Sequence, residues 1–128
     1  MATINEAVLT IGGVSERDHG MLPVSLRIEV EFDSESETAF DYKATWVLKG
    51  DDPIWDDDIK MFVEAPIKVD GSRYQTFTFN TQIYEPKLNE DPGRDEVYAK
   101  VTFEPNRSGT GIVAKAKSNT IRRKFAAR

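Results

Sequence analysis

A chain of 128 residues with no cysteine, one histidine and a formal net charge of −5 fits a single domain that folds without disulfides. That composition excludes thiolate chemistry and argues against a zinc site. No stretch nears the roughly 20 apolar residues of a membrane-spanning helix, and Met1 to Glu6 has neither a basic region nor an apolar run. A cytoplasmic protein with no membrane partner is therefore expected.

The first predicted strand covers residues 2 to 11, with Ala7, Leu9 and Ile11 on one face and Glu6, Val8 and Thr10 on the other. Gly12-Gly13 stops it, and a polar loop follows that holds His19. Pro23 then precedes the clearest alternation in the chain: Val24, Leu26, Ile28, Val30 and Phe32 point one way, Ser25, Arg27, Glu29, Glu31 and Asp33 the other. A second such run places Phe40, Tyr42, Ala44, Trp46 and Leu48 on one face. The connector Ser34-Glu35-Ser36-Glu37 is polar, so an antiparallel hairpin joining the two runs is the simplest expectation. This pair is expected to be the spine of the domain.

Lys49 to Pro53 is strong punctuation, and Asp52-Pro53 suits the start of one helical turn. Ile59, Met61 and Val63 alternate as a short strand ended by Ala65-Pro66, and Ile67 and Val69 form a small extended piece before Asp70-Gly71. From Tyr74 to Tyr84 the pattern is a strand with Phe77, Phe79 and Ile83 inward. After a charged loop from Glu85 to Gly93, Val97, Ala99, Val101 and Phe103 alternate against Glu96, Tyr98, Lys100, Thr102 and Glu104. Ile112, Ala114 and Ala116 mark a last strand. Residues 118–128 are a basic tail with Phe125 as its final apolar anchor, set apart from a domain over residues 1–117.

Seven or eight strands at regular spacing without a long helix predict an all-β fold: a single antiparallel β-sandwich of immunoglobulin-like or jelly-roll topology, with a closed β-barrel as the alternative. Trp46 lies inward on a long strand, as the core tryptophan of immunoglobulin-like domains does.

Charge is segregated. Residues 105–128 hold no acid and seven cations: Arg107, Lys115, Lys117, Arg122, Arg123, Lys124 and Arg128. The rest of the chain carries −12. Either the basic end lies across its own acidic body or it contacts an acidic partner, another copy included.

The acidic loops are the strongest candidate site. Asp51, Asp52, Asp56, Asp57 and Asp58 form one group, and Glu90, Asp91 and Asp95, with Asn89 and Glu96, form another. Calcium takes six to eight hard oxygens from such loops, and Trp55 beside them offers a stacking surface for a carbohydrate. The spacing is not that of an EF-hand, and turn-capping surface carboxylates are the simpler explanation. His19, Asp18 and Ser15 are neighbours in one loop, which does not set a catalytic triad at fixed angles. With 22 acidic residues, paired carboxylates for glycoside chemistry carry no specificity. Ile11-Gly12-Gly13-Val14 and Ser108-Gly109-Thr110-Gly111 lack the lysine and helix of a phosphate loop. The basic run Ile121 to Phe125 is set against an acidic body that repels nucleic acid. Asn106-Arg107-Ser108 matches a glycosylation acceptor by a three-residue pattern alone.

The outward apolar residues Val47, Phe62, Tyr84 and Tyr98 are the remaining signal, since patches on small β-domains mark partner contacts. The expectation is a non-enzymatic protein-interaction or structural module, self-associating head to tail or binding another protein. The alternative is a calcium-dependent, carbohydrate-binding type of domain that uses the acidic loops.

Overall fold

The computed structural model describes residues 2–13, 20–50, 57–89, 95–107 and 113–126. The alternating runs become strands because each has one apolar row to bury. In chain order they are β1 (Thr3–Ile11), β2 (Met21–Glu31), β3 (Tyr42–Gly50), β4 (Asp57–Ile67), β5 (Tyr74–Tyr84), β6 (Asp95–Pro105), β7 (Ala114–Lys117) and β8 (Ile121–Arg123). Two antiparallel sheets result. One has the order β1-β2-β5, and the other β4-β3-β6-β7, with β8 continuing beside β6 after β7. The sheets pack as a β-sandwich and do not close into a barrel. Among the described residues no helix is long and apolar enough to cross a membrane.

The two spine strands are each central in a sheet, but they are not a hairpin. β2 pairs with β1 and β5, whereas β3 pairs with β4 and β6. The connector carries the chain across the sandwich instead, through a short 3-10 turn at Glu35–Thr38. Glu37 organises it: its Oε1 accepts the N–H groups of Asp33 at 2.7 Å and Ser34 at 3.2 Å. Its carbonyl accepts the Tyr42 hydroxyl at 2.7 Å. Satisfied in this way, the polar stretch turns out of one sheet and into the other without orphaning backbone groups.

The core lies between the sheets. Leu22, Val24, Leu26, Ile28 and Val30 of β2 face Tyr42, Ala44, Trp46 and Leu48 of β3 and the Val97–Phe103 row of β6, all buried. Tyr42 and Phe103 stack at 4.7 Å, with Phe32 edge-on to both. Burying such residues at about 25 cal/mol per Å2 of apolar surface supplies most of the folding drive.

β4 departs from expectation in two ways. It runs through Pro66 to Ile67, which an edge strand tolerates because one side of its backbone needs no partner. Its faces are also reversed. Phe62 points inward and stacks on Trp46 at 4.4 Å, while Met61 and Val63 lie on the solvent side at 61% and 57% exposure. A register shift between Leu48 and Lys49, opposite Lys60 and Asp58, changes the phase of the strand at its start.

The described part of the basic tail packs on the sandwich. Ser118 exchanges hydrogen bonds with Ala99, its N–H donating to the carbonyl and its Oγ accepting the N–H, both at 2.8 Å. Asn119 reaches the other sheet: its Oδ1 accepts the Leu9 N–H at 2.7 Å and its Nδ2 donates to the Leu9 carbonyl at 3.1 Å. Arg123 donates to the carbonyls of Ile11 and Gly12 at 3.0 and 2.7 Å. Phe125 is fully buried. At Gly12 the chain approaches itself closely, since a Cβ there would sit 2.7 Å from Cγ of Pro23.

Candidate functional site

The acidic-loop candidates fall mostly beyond what is described. Asp51, Asp52, Trp55, Asp56, Glu90 and Asp91 lie outside the described residues, as do Ser15, Asp18 and His19. Of the remaining candidates, Asp57 begins β4 and Asp58 pairs with Lys49 at 2.6 Å. Asp95 begins β6, is buried, and stands opposite Arg123 in the β6–β8 register. The strand register does bring the flanks of the two acidic groups to one end of the same sheet, because Gly50 of β3 is opposite both Asp57 and Val97. Among the described residues, no three His, Asp or Glu side chains converge on a common point.

Much of the basic charge is engaged with the body. Arg122 bridges Glu96, Arg123 holds two carbonyls of the β1 end, and Arg107 lies over the Phe40 ring at 4.2 Å. Three lysines behave differently. On the outer face of the larger sheet, register places Val63, Thr45, Thr102 and Lys115 in one row across β4, β3, β6 and β7. The next row is Met61, Val47, Lys100 and Lys117. In these two rows the β4–β3 side carries Val63, Met61 and Val47 beside Thr45, and the β6–β7 side carries the three lysines beside Thr102.

Lys43 and Lys49 on the same face are neutralised by Glu104 at 3.5 Å and Asp58 at 2.6 Å. Lys100, Lys115 and Lys117 form no ion pair with a described carboxylate. Lys100 and Lys117 are directly opposite each other, an arrangement that destabilises a sheet. The Lys117 ammonium finds partial relief 4.1 Å from the centroid of the Tyr98 ring. An open depression of about 370 Å3 lies between these lysines and Thr102.

This face corrects two expectations about outward apolar residues. Tyr98 does point outward but is fully buried, and Phe62 belongs to the core side. Val47 and Tyr84 remain at least partly accessible, and the large exposed apolar residues of the face are Met61 and Val63. Sequence reasoning missed the lysine group because Lys100 lies 15 or more residues before Lys115 and Lys117, and only the β6–β7 register joins them.

The chain matches no protein-family model, and no curated protein matches it.

Proposed function

We propose that this chain is a non-enzymatic protein-interaction or structural module, immunoglobulin-like in build, that contacts an acidic protein surface through the outer face of its larger sheet. The observation that carries this reading is the juxtaposition of exposed Met61 and Val63 with Lys100, Lys115 and Lys117 on one sheet face. An apolar patch rimmed by charge of one sign is the usual anatomy of a protein contact, and three uncompensated cations select an acidic counterpart. In a chain of net charge −5, cations left opposite one another have a cost that an acidic partner would offset. The immunoglobulin-like reading rests on strand order: β1-β2-β5 facing β4-β3-β6-β7, with the buried Trp46 on the third strand, follows the wiring of that class. The partner is another protein or a second copy of the chain.

The test is panning of a random peptide display library on wild-type protein and on the Lys100→Glu, Lys117→Glu double variant. Enrichment of acidic peptides with apolar neighbours by the wild type, lost in the variant and weakened by salt, is the expected result. No enrichment, or enrichment indifferent to the double substitution, contradicts the reading.

The second reading is calcium-dependent ligand binding, favoured by one observation: both acidic connectors leave the same end of the larger sheet. A thermal melt in excess EDTA and then in millimolar calcium, at fixed ionic strength, tests it. A ligand at a hundred times its Kd stabilises the folded state by about 2.7 kcal/mol, a shift of several degrees. An unchanged melt removes the reading.

A further inference from the structure

Among the described residues the sandwich is four strands wide on one side and three on the other. β1 packs against β7 at one margin and Phe77 of β5 stacks on Phe103 of β6 at 5.6 Å, so by strand count β4 at the opposite margin has no counterpart in the smaller sheet. Burial records the overhang. The core-side residues of β3 (Tyr42, Ala44, Trp46 and Leu48) are closed to solvent, whereas on β4 Lys60 is exposed and Phe62 and Glu64 are only half-buried. The position beside β5 and above β4 is a vacant strand site. At the Tyr74 end of β5 it opens into a groove of about 500 Å3 lined by Val69, Tyr74, Thr76 and Phe77 among others.

Edge strands are normally guarded by charges, bulges, proline or a covering segment. Three edges of this molecule are guarded. β1 has a register shift at Asn5 and is covered by Asn119; β4 has a register shift, Pro66 and the inward charges of Lys60 and Glu64; β7 carries Lys115 and Lys117. β5 has none of these beyond Gln75, where its side chain holds the backbone of Asp70 and Ser72. Its eleven residues, Tyr-Gln-Thr-Phe-Thr-Phe-Asn-Thr-Gln-Ile-Tyr, include no charge, no glycine and no proline, and they pair with β2 in unbroken register. Among the described residues nothing pairs with the other side of β5.

We propose that β5 accepts an extended segment of another polypeptide as a fourth strand, antiparallel to β5, and that β4 reads its side chains. The incoming backbone takes the free hydrogen-bonding groups of β5, and its alternate side chains point down onto β4. There Lys60, Phe62 and Glu64 share the core-side face, since they pair with Leu48, Trp46 and Ala44. Among the described residues neither Lys60 nor Glu64 forms an ion pair, and Lys60 only overhangs the Phe62 ring at 5.4 Å. A strand antiparallel to β5 runs in the same direction as β4. It therefore presents, in order, an acid to Lys60, an apolar side chain to Phe62 and a base to Glu64. The ligand class is an extended peptide with the pattern acid, any residue, apolar, any residue, base. This site is separate from the lysine-bearing outer face and does not depend on it.

The experiment uses two eleven-residue synthetic peptides with threonine at the outward positions. One carries aspartate, valine and lysine in that order at three successive inward positions, and the other carries them reversed. Binding is measured by fluorescence anisotropy and located by amide NMR on the full chain. The first peptide binds at least about ten-fold more tightly than the second, and protects alternate amides of β5. In the Lys60→Glu, Glu64→Lys double variant the preference reverses, which a misfolded protein cannot mimic. The Lys100→Glu, Lys117→Glu variant binds the first peptide as the wild type does, so the outer-face reading and this one fail separately. Equal affinity for both peptides, preference for the reversed one, protection elsewhere than β5, or no binding at millimolar peptide overturns the proposal.

Discussion

The two margins of this sandwich are finished in opposite ways. On the β1–β7 side the last strand breaks at Ser118–Thr120, and the break itself ties the sheets together: Asn119 pairs with the Leu9 backbone and Arg123 caps the end of β1. On the β4–β5 side no described residue plays that part, and one sheet simply stops a strand short of the other. The closed margin uses polar side chains as substitutes for a missing strand. The open margin leaves backbone groups for something outside the chain. On this reading stability is concentrated on one side and the proposed binding capacity on the other.

Substitutions ordered by expected effect sharpen that contrast. Phe125→Ala removes the buried anchor of the segment that follows β8 and should cost about 3–5 kcal/mol in urea unfolding. Asn119→Ala orphans both backbone groups of Leu9 and should cost about 1–3 kcal/mol, with faster hydrogen exchange at the Leu9 amide. On the open margin Phe62→Ala, half-buried against Trp46, should cost less than Phe125→Ala, about 1–2 kcal/mol. Equal costs for the two phenylalanines would erase the distinction between the margins.

Two pH effects lie outside both margins and serve as controls. Burial, reinforced by the Glu37 charge, raises the Tyr42 hydroxyl to about 12. A raised folded pKa means stability is full below the unfolded value near 10 and is lost as pH rises through about 12. Tyr42→Phe should flatten that alkaline limb. It also removes the hydrogen bond to the Glu37 carbonyl, at a cost of about 0.5–1.5 kcal/mol at neutral pH. Glu31 is the smallest case. Hydrogen bonds from Asn5 and then Arg73 hold its carboxyl below the usual range. Its contribution is present above the unfolded value and lost as pH falls through the folded one, so Glu31→Gln should slightly flatten the acid limb of a melting profile.

The faces of β2, β3, β5 and β6 were legible because each run has one apolar row and one polar row, and period-two alternation survives any choice of neighbour. Strand partners were not legible in the same way. Ser34 to Glu37 has the look of a hairpin turn, and its role in crossing between sheets depends on Glu37 folding back onto Asp33 and Ser34. β4 misled for a physical reason. Ile59, Met61 and Val63 alternate as one apolar row, yet the register shift beside Ile59 leaves it packed against the core while Met61 and Val63 turn outward. The lysine face needed the β6–β7 register before Lys100 could be seen beside Lys117.

The measurement that tests the central contrast most directly is residue-resolved amide hydrogen exchange of the dilute, unliganded wild-type chain. The account predicts that alternate amides of β5, those not donated to β2, exchange at rates near those of unstructured peptide, while the Leu9 amide at the opposite margin is protected through Asn119. Uniform protection along all of β5, equal to that of β2, would mean the edge is already covered and would contradict the account.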